Sequence, residues 1–381
     1  MTPSRAASVS PRNSTDGAIP FTDLACQWRQ IEARLLPEML RVFEESEFCL
    51  GPYVERFEQM IAEYLGVAHA IGVNSGTSAL HLALIAAGIG PGDKILLPSY
   101  TFIATAWAVL YVGAIPVLCD VENATANIDL ADAERRLDKA VKAIIPVHLY
   151  GQPADLTGVM AFAARHRLAV VEDAAQAIGA RFDGRYAGTF GLCGCFSFYP
   201  AKNLGAAGEA GLIVTGDAAV AQRLRALRNH AQTERYIHSE LGFNYRMEGL
   251  QGLVLGHKLP LLAGWTESRR KLAQLYRERL AGLPLRVPQV VHQDHVFHLY
   301  VVRAKERDRL RDHLRRAGIE TGLHYPVPLH AQPALARCVT DAGSFPIADR
   351  YAQECLSLPL FTGMTEAQVE RVCATIGRFY R

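Results

Sequence analysis

The sequence predicts an α/β protein with a large domain, built on a mostly parallel, seven-stranded-type sheet covered by helices, and a smaller C-terminal α+β domain. Short apolar segments and helical segments alternate from about residue 70 to residue 214, which is typical of a parallel sheet. The strand segments show no regular polar alternation, so we expect both faces of the sheet to be buried. Beyond residue 246 the alternation stops, which indicates the second domain.

The composition fits a globular enzyme and argues against several other classes. Half of the 381 residues are apolar and a fifth are charged, with a formal net charge of +2. The sequence has no basic stripe interleaved with aromatic residues, and no apolar run of membrane-spanning length, so we expect neither nucleic acid nor a membrane as a partner. Its eight cysteines are scattered without zinc-ligand spacing. We therefore expect reduced thiols, a cytoplasmic location and no metal.

The first elements along the chain are helical. Residues 1–20 are rich in Ser, Pro and Arg and are predicted to be a disordered leader to the large domain, residues 21–258. Apolar residues at helical spacing predict a helix around Leu35–Phe43 and another around Val54–Leu65, with the Gly51-Pro52 pair between them. These first helices are candidates to pack on the smaller domain.

The sheet begins with a predicted strand over Ala70–Val73 and a helix over Ala79–Ala87. Apolar runs predict six further strands: Lys94–Leu97, Ile115–Asp120, Ala143–Val147, Ala169–Glu172, Cys195–Phe198 and Leu212–Val214. Helices are predicted over Ile103–Val112, Leu130–Leu137 and Asp155–His166.

The smaller domain is predicted to span residues 259–381, after a helical stretch over Glu248–Leu280 that breaks near Pro260. It contains four predicted elements: a strand over His298–Arg303, a helix over Glu306–Ala317, a strand over Ile319–His324 and a helix over Glu366–Tyr380.

Lys202 is the first candidate for chemistry. It follows an apolar strand that ends at Phe198, and a loop of small residues beginning at Gly205 comes behind it. Lysine is costly to bury, so this position suggests an amine presented into a cleft. A desolvated amine forms Schiff bases with carbonyls, notably with pyridoxal phosphate (PLP). The alternative is an ordinary surface lysine on a loop.

Polar residues at other strand ends could serve the same cofactor. Gly76, Thr77 and Ser78 lie between a predicted strand and the N-terminus of a predicted helix, which is a natural phosphate seat; the alternative is an ordinary N-cap with a turn. Asp173 ends a strand, where ligands bind in open α/β sheets, and a carboxylate there would hold a pyridine nitrogen protonated. Gln176 could hydrogen-bond the phenolic oxygen of the ring. The alternative is that Asp173 caps the next helix.

Two further residues complete the predicted cofactor site. Phe102 follows the strand over Lys94–Leu97 and could stack on the pyridine ring, with core packing as the alternative. Ser197 precedes the lysine and is a further candidate donor to phosphate.

The chain resembles the DegT/StrS-type sugar aminotransferases, PLP enzymes of the aspartate-aminotransferase fold. The resemblance covers nearly everything from Phe21 to the C-terminus. It rests on these segments: Leu50-Gly51-Pro52, Ser75-Gly76-Thr77-Ser78-Ala79-Leu80, Pro98-Ser99-Tyr100-Thr101-Phe102, Val147-His148-Leu149-Tyr150-Gly151, Glu172-Asp173-Ala174-Ala175-Gln176, Ser197-Phe198-Tyr199-Pro200-Ala201-Lys202-Asn203-Leu204-Gly205, Gly242-Phe243-Asn244-Tyr245-Arg246-Met247 and His324-Tyr325-Pro326.

The resemblance implies a role for each matched residue. Lys202 would form the cofactor aldimine and shuttle the proton. The cofactor would be held by Asp173 at the pyridine nitrogen, Gln176 at the ring oxygen, Phe102 on the ring face, and Thr77, Ser78 and Ser197 at the phosphate. Asn244 would reach the cofactor of a neighbouring subunit, which implies a homodimer with shared active sites. Tyr245, His324 and Tyr325 are candidates to line the sugar site. Arg246 is a candidate to bind the donor's carboxylate, because a guanidinium binds carboxylates bidentately, with a structural role as the alternative.

The implied activity is a ping-pong transamination through Lys202. L-Glutamate would give its amino group to the cofactor, and a nucleotide-linked keto-sugar (dTDP-, UDP- or GDP-linked) would take it. One family branch that performs deoxygenation has histidine in place of this lysine, so Lys202 favours amino transfer. The chain has Glu209-Ala210-Gly211 where many relatives have Asp-Gly-Gly. Three alternatives remain: a cyclitol ketone as acceptor, a non-enzymatic regulatory protein, and a desulfurase-like lyase using Cys338.

Overall fold

The computed structural model describes residues 17–291, 294–339 and 343–381. The helices are α1 (Ala25–Trp28), α2 (Glu32–Glu44), α3 (Pro52–Leu65), α4 (Gly76–Ala86), α5 (Ala104–Tyr111), α6 (Leu130–Arg136), α7 (Leu156–His166), α8 (Ala218–Leu227), α9 (Gly249–Lys258), α10 (Leu262–Arg279), α11 (Arg307–Arg316), α12 (Pro346–Glu354) and α13 (Glu366–Phe379). The strands are β1 (His69–Val73), β2 (Lys94–Pro98), β3 (Ile115–Cys119), β4 (Val141–Ile144), β5 (Ala169–Asp173), β6 (Arg181–Phe182), β7 (Arg185–Tyr186), β8 (Cys193–Ser197), β9 (Gly211–Thr215), β10 (Gln232–Glu234), β11 (Ile237–His238), β12 (Leu285–Arg286), β13 (Tyr300–Ala304) and β14 (Cys355–Leu358).

The central sheet has seven strands in the order β1-β9-β8-β5-β4-β2-β3. Strand β9 runs antiparallel to both of its neighbours, and the other six strands are parallel to one another. This confirms the predicted α/β class with a mostly parallel sheet. Because β1, β2, β5 and β8 share one direction, their carboxyl ends meet at one edge of the sheet, where ligands bind in such folds.

Helices cover both faces of this sheet, as the uninterrupted apolar strands predict. Helix α4 is buried on nearly every side and packs with α5 in a core that includes Ile71, Leu97 and Val171. Helices α6 and α7 cover the opposite face over Leu96 and Ile144. Burial of this much apolar side-chain surface is the main favourable term in folding.

The predicted strands of the sheet match the observed ones to within two residues at either end, except that the strand predicted over Ala143–Val147 is observed over Val141–Ile144 and so ends three residues earlier. Most of the predicted helices also match to within two residues. The sequence reading missed α8 and the short hairpin of β10 and β11. The predicted break near Pro260 is real: a short 3₁₀ turn over Leu259–Leu261 separates α9 from α10.

A second apolar core lies in the C-terminal part of the chain, around Tyr276, Tyr300 and Val369. It packs α10, α11 and α13 against the three-stranded sheet β12-β13-β14. The exact division at residue 258 stays a prediction.

The predicted strand over Ile319–His324 is wrong. Ile319 and Gly322 each form a single isolated bridge, to Ile19 and Ser357, and no strand forms between them. A glycine in its middle weakens a strand because it contributes no side chain to packing. Strand β14, which the sequence reading missed, pairs with β13 instead.

The boundary of the predicted leader also needs correction. Residues 1–16 lie outside the described residues, but Ile19 is buried in the second core and its N–H donates to the carbonyl of Gly318. Residues 17–20 are therefore part of the folded structure, because Ile19 fills space beside Ile319. Within the described ranges, no helix combines the length and apolar character needed to cross a membrane.

Candidate active site

A cleft of about 560 Å³ opens at the carboxyl edge of the central sheet. That volume is typical of small-molecule and cofactor sites. Residues from the ends of β1, β2, β5 and β8 line it, together with residues that follow β12 and β14. The cleft brings together nine of the residues singled out from the sequence: Gly76, Thr77, Phe102, Asp173, Gln176, Ser197, Lys202, His324 and Tyr325.

Lys202 lies in the turn after β8, where its backbone N–H donates to the carbonyl of Tyr199. Burial lowers the pKa of its amine to about 8, and the nearby Asp173 carboxylate partly opposes this shift. In the described part of the chain no carboxylate forms an ion pair with the Lys202 amine. Lys202 is therefore not a fully solvated surface lysine, and a substantial fraction of its amine is unprotonated near pH 8.

Asp173 ends β5 and is 5% exposed. Its Oδ2 accepts a hydrogen bond of 2.8 Å from the Thr105 hydroxyl, and its Oδ1 accepts one of 3.2 Å from the Ala175 N–H. Burial raises the pKa of the Asp173 carboxyl, while these two bonds and the Lys202 charge pull it back down. No helix follows Asp173, since β6 is the next element, so it does not serve as a helix cap.

The start of α4 lies directly beside the end of β8. A Cβ atom on Gly76 would lie 2.8 Å from the Ser197 Cβ, so only glycine allows this approach. Ser75 caps the helix by accepting from the Ser78 N–H at 3.1 Å. The first N–H groups of a helix have no partner within the helix; that of Ser78 is used by Ser75, so those of Gly76 and Thr77 remain for an anion beside Ser197.

Aromatic and amide side chains form another part of the cleft wall. Phe102 is 53% exposed and contacts Tyr325 with ring centroids 5.7 Å apart, which excludes simple core packing. The Gln176 side chain donates to the Tyr325 hydroxyl at 3.0 Å and accepts from the Tyr150 N–H at 2.7 Å. These bonds fix the orientation of the Gln176 amide towards the cleft.

His324 reaches the cleft from the C-terminal part of the chain. Its Nδ1 lies 2.8 Å from the Ser357 hydroxyl, and its ring stacks on Phe21. Burial and the Lys202 charge lower the pKa of the imidazole to about 4, so His324 is neutral at physiological pH.

Four of the sequence candidates do not line this cleft. The Ser78 hydroxyl is buried and bonds to Ser75 at 2.9 Å. Asn244 is exposed and pairs with Asn229 through the backbone. The Tyr245 hydroxyl lies 3.3 Å from His81, and the Arg246 guanidinium donates to Asn229 at 2.8 Å.

The structure also places three residues at the cleft that the sequence reading missed: Thr105, Arg269 and His298. Thr105 follows Thr101 by one helical turn, and that hydroxyl pair after a strand was the available signal. Arg269 and His298 come from the C-terminal part of the chain, and no local pattern connects them with Lys202.

These groups fit pyridoxal phosphate. The cofactor needs an amine, a carboxylate for its pyridine nitrogen and a seat for its phosphate. Lys202, Asp173 and the N-terminus of α4 supply these three, and Gly76 allows that N-terminus to lie directly beside Ser197.

The DegT/DnrJ/EryC1/StrS aminotransferase family model matches residues 29–377 of this chain. The UDP-N-acetyl-3-dehydro-alpha-D-glucosamine 3-aminotransferase of Acidithiobacillus ferrooxidans is 43% identical, over 95% of this chain and 98% of the relative. A pleiotropic regulatory protein of Geobacillus stearothermophilus is also 43% identical, over 95% of this chain and 99% of the relative.

Among solved structures, S. venezuelae DesV in complex with a ketimine intermediate superimposes with a TM-score of 0.93. It is 42% identical, and the match covers 96% of this chain and 99% of DesV. NtdA from Bacillus subtilis, with bound cofactor PMP, superimposes with a TM-score of 0.89 at 29% identity, over 97% of this chain and 86% of NtdA.

Proposed function

The chain belongs to the DegT/DnrJ/EryC1/StrS aminotransferase family, and from that premise we propose that it transfers an amino group from L-glutamate to the ketone of a nucleotide-linked sugar. It is a PLP-dependent sugar aminotransferase. The observation that carries the proposal is the half-buried Lys202, which shares one cleft with Asp173 and the start of α4. The acceptor class follows the names of its relatives.

We assign the cofactor-binding roles to the residues that line the cleft. The N-terminus of α4 with Thr77 and Ser197 would hold the phosphate, and Asp173 would hold a proton on the pyridine nitrogen. Thr105 orients the Asp173 carboxylate through its 2.8 Å bond. Phe102 would cover the ring face, and Gln176 would donate to the ring oxygen.

When bound, PLP supplies an aldehyde that condenses with amines and a ring that withdraws electrons from the carbon bearing the amine. Lys202 would anchor it through Nζ. When it is not bound to the cofactor, the Lys202 Nζ would act as the base that holds the proton from the substrate carbon and passes it back to the substrate or the cofactor. Its lowered pKa suits this work, because a base with a pKa near the working pH exchanges protons in both directions.

We further propose a homodimer in which Asn244 reaches the partner's cofactor. Two observations support it: Asn244 is exposed and outside its own cleft, and α2 presents exposed Leu36, Leu40 and Phe43 to solvent. Apolar patches of this kind mark association surfaces.

We also propose a cytoplasmic location, since all eight cysteines are free thiols.

Mixing two inactive variants tests the shared site. In a mixed dimer of Lys202→Ala and Asn244→Ala subunits, one site has both native residues, so activity should return on mixing. If the variants stay inactive after subunit exchange, verified by co-purification of differently tagged subunits, the shared site is contradicted.

The acceptor is tested by mass spectrometry with ¹⁵N-labelled L-glutamate and a panel of UDP-, dTDP- and GDP-linked keto-sugars. We expect ¹⁵N to enter one of these sugars and 2-oxoglutarate to form. If label enters only an inosose, the acceptor is a cyclitol. If label enters no ketone and the protein binds no PLP, a regulatory role, as in the name of the Geobacillus relative, becomes the better account.

A further inference from the structure

Arg269 is a charged residue of the cleft that the roles above do not use. It lies on α10, is 5% exposed and lines the same cleft as Lys202. Burial lowers the pKa of its guanidinium to about 10, so it still carries its charge at neutral pH. In the three described ranges no carboxylate forms an ion pair with it. A buried cation without a counter-ion is costly, so its retention needs a reason.

The hydrogen bonds of Arg269 use only part of its guanidinium. Its Nη1 donates to the carbonyl oxygens of Phe297, His298 and Leu360 at 3.1, 3.4 and 2.9 Å. Its Nε is buried and has no partner, and no described residue accepts from Nη2. The three carbonyls therefore fix the group in place while other donors of its planar fork remain unused. Such a fork matches the two oxygens of a carboxylate.

The surroundings of Arg269 favour an anion. The carbonyl oxygen of His298 accepts a hydrogen bond from Arg269. Burial, together with the charges of Lys202 and Arg269, lowers the pKa of the His298 imidazole well below its usual range. His298 is therefore neutral, and its buried Nδ1 has no partner. Of the carboxylates that line the cleft, Asp173 is bonded to Thr105, and Glu209 is exposed. The Arg269 side of the cleft thus has fixed positive charge and no anion of its own.

We propose that Arg269 binds a carboxylate of the amino donor. This assignment rests on the proposed function and gives its donor a chemical class, an amino acid rather than a simple amine. It also replaces Arg246, which the sequence suggested for this role but whose guanidinium is bonded to Asn229 outside the cleft. The cofactor phosphate already has a seat at the start of α4, so Arg269 remains for a second anion.

The direct test is binding of glutarate, a dicarboxylate without an amine, to the PLP-loaded enzyme by calorimetry. Arg269→Lys retains the positive charge and a donor for the carbonyls but removes the fork. Arg269→Gln removes the charge and serves as the second variant if the first is unstable. Arg270→Gln is the matched control, because Arg270 lies next to it on α10 but donates to the carbonyl of His295 and to Asp294 outside the cleft.

We expect glutarate affinity to fall roughly 10- to 100-fold in the Arg269 variants, the usual effect of losing hydrogen bonds to a charged group. Arg270→Gln should bind glutarate as the wild type does. The thermal midpoint and cofactor absorbance of Arg269→Lys should stay near wild type, which a merely structural role does not predict. Unchanged glutarate affinity in both Arg269 variants overturns the assignment.

The two half-reactions, followed separately by cofactor absorbance, sharpen the test. In the Arg269 variants, the KM for L-glutamate should rise by a factor similar to the loss of glutarate affinity. The KM for the amino-sugar product in the other half-reaction should stay at the wild-type value. Equal losses in both half-reactions would overturn the assignment in favour of a structural role. A wild-type enzyme that does not respond to L-glutamate would instead contradict the proposed function itself, so the two failures are distinguishable.

Discussion

Two lysines are associated with the loop that follows β8: Lys202 is half-buried and lies in this loop, whereas Lys258 is buried and donates a hydrogen bond to it. Burial lowers the pKa of Lys202 and of Lys258 to about 8 in both cases. Lys202 faces the cleft, whereas the Lys258 amine donates to the carbonyl of Gly205 at 2.6 Å and to Gln27 at 3.2 Å. Gln27 in turn donates to the carbonyl of Asn203, so hydrogen bonds from Lys258 and Gln27 hold the backbone of this loop.

The difference shows that a lowered pKa alone does not identify a catalytic amine. Lys258 has the same shift, but its donors are used by the protein and it lies outside the cleft. Lys202 has room beside it for a ligand and a carboxylate, Asp173, across that space. We therefore assign chemistry to Lys202 and positioning of the loop to Lys258.

The largest expected effect is that of Lys202→Ala. Loss of the anchoring and proton-transferring amine should lower kcat by at least about 10³-fold, since positioned acid–base groups alone contribute 10²–10⁴-fold. The measurement is steady-state transamination, with far-UV circular dichroism to verify the fold. Lys258→Met measured in parallel should keep most of its activity, and a reversed order would contradict the comparison.

Asp173→Asn should have the next largest effect. The amide cannot hold a proton on the pyridine nitrogen as a carboxylate does, so we expect kcat to fall roughly 10²-fold, as when an oriented electrostatic group is removed. Thr105→Val keeps the shape near Asp173 but removes the 2.8 Å bond, and should cost only about tenfold. Asp173→Asn activity equal to that of Thr105→Val would argue against a direct role for the carboxylate.

The pH dependence of cofactor capture should report on Lys202. Its pKa of about 8 means that the fraction of neutral amine rises about tenfold per pH unit up to that value and then levels off. The rate at which apoprotein acquires PLP absorbance should follow this curve in stopped-flow experiments. A rate that keeps rising to pH 10 would show that the Lys202 amine has an ordinary pKa.

Replacing Lys258 should change the pH dependence of the free energy of unfolding more than it changes the activity. Because its folded pKa of about 8 lies below the unfolded value near 10.5, the unfolded chain binds more protons between these pH values. The wild type's free energy of unfolding, relative to that of Lys258→Met, should therefore rise by roughly 2–3 kcal/mol between about pH 8 and pH 10.5. Urea unfolding at several pH values measures this, and a flat difference would place Lys258 in a solvated setting. Activity should change by no more than about threefold, the effect of less than 1 kcal/mol.

Much of the fold could be predicted from the sequence because the central sheet has strands with apolar residues on both faces. Each apolar run such as Ala169–Asp173 is an unambiguous local signal, and its carboxyl end gives the position of Asp173. The error at Ile319–His324 arose because a few apolar residues around a glycine satisfy a strand pattern without forming a ladder. Strand β13 pairs with β14 and not with Ile319–His324, and local sequence patterns do not show which of two segments will pair with a given strand.

Site residues could be predicted from the sequence where they lie in a local motif at the end of a strand. Site residues that only tertiary packing brings to the cleft could not be predicted. Gly76, Asp173 and Lys202 each follow a strand of one sheet, so topology brings them together. Arg269 and His298 reach the cleft through the packing of α10 and of the segment before β13, for which no spacing rule exists. Arg246, which the sequence suggested for the donor's carboxylate, lies outside the cleft of its own chain.

The most direct test of the central claim is to locate the amine that holds the cofactor. The PLP-loaded protein would be reduced with borohydride, digested and mapped by tandem mass spectrometry. Our account predicts the reduced cofactor on Lys202 and none on Lys258. Label on Lys258, or on no lysine of a protein that retains PLP absorbance, would contradict it.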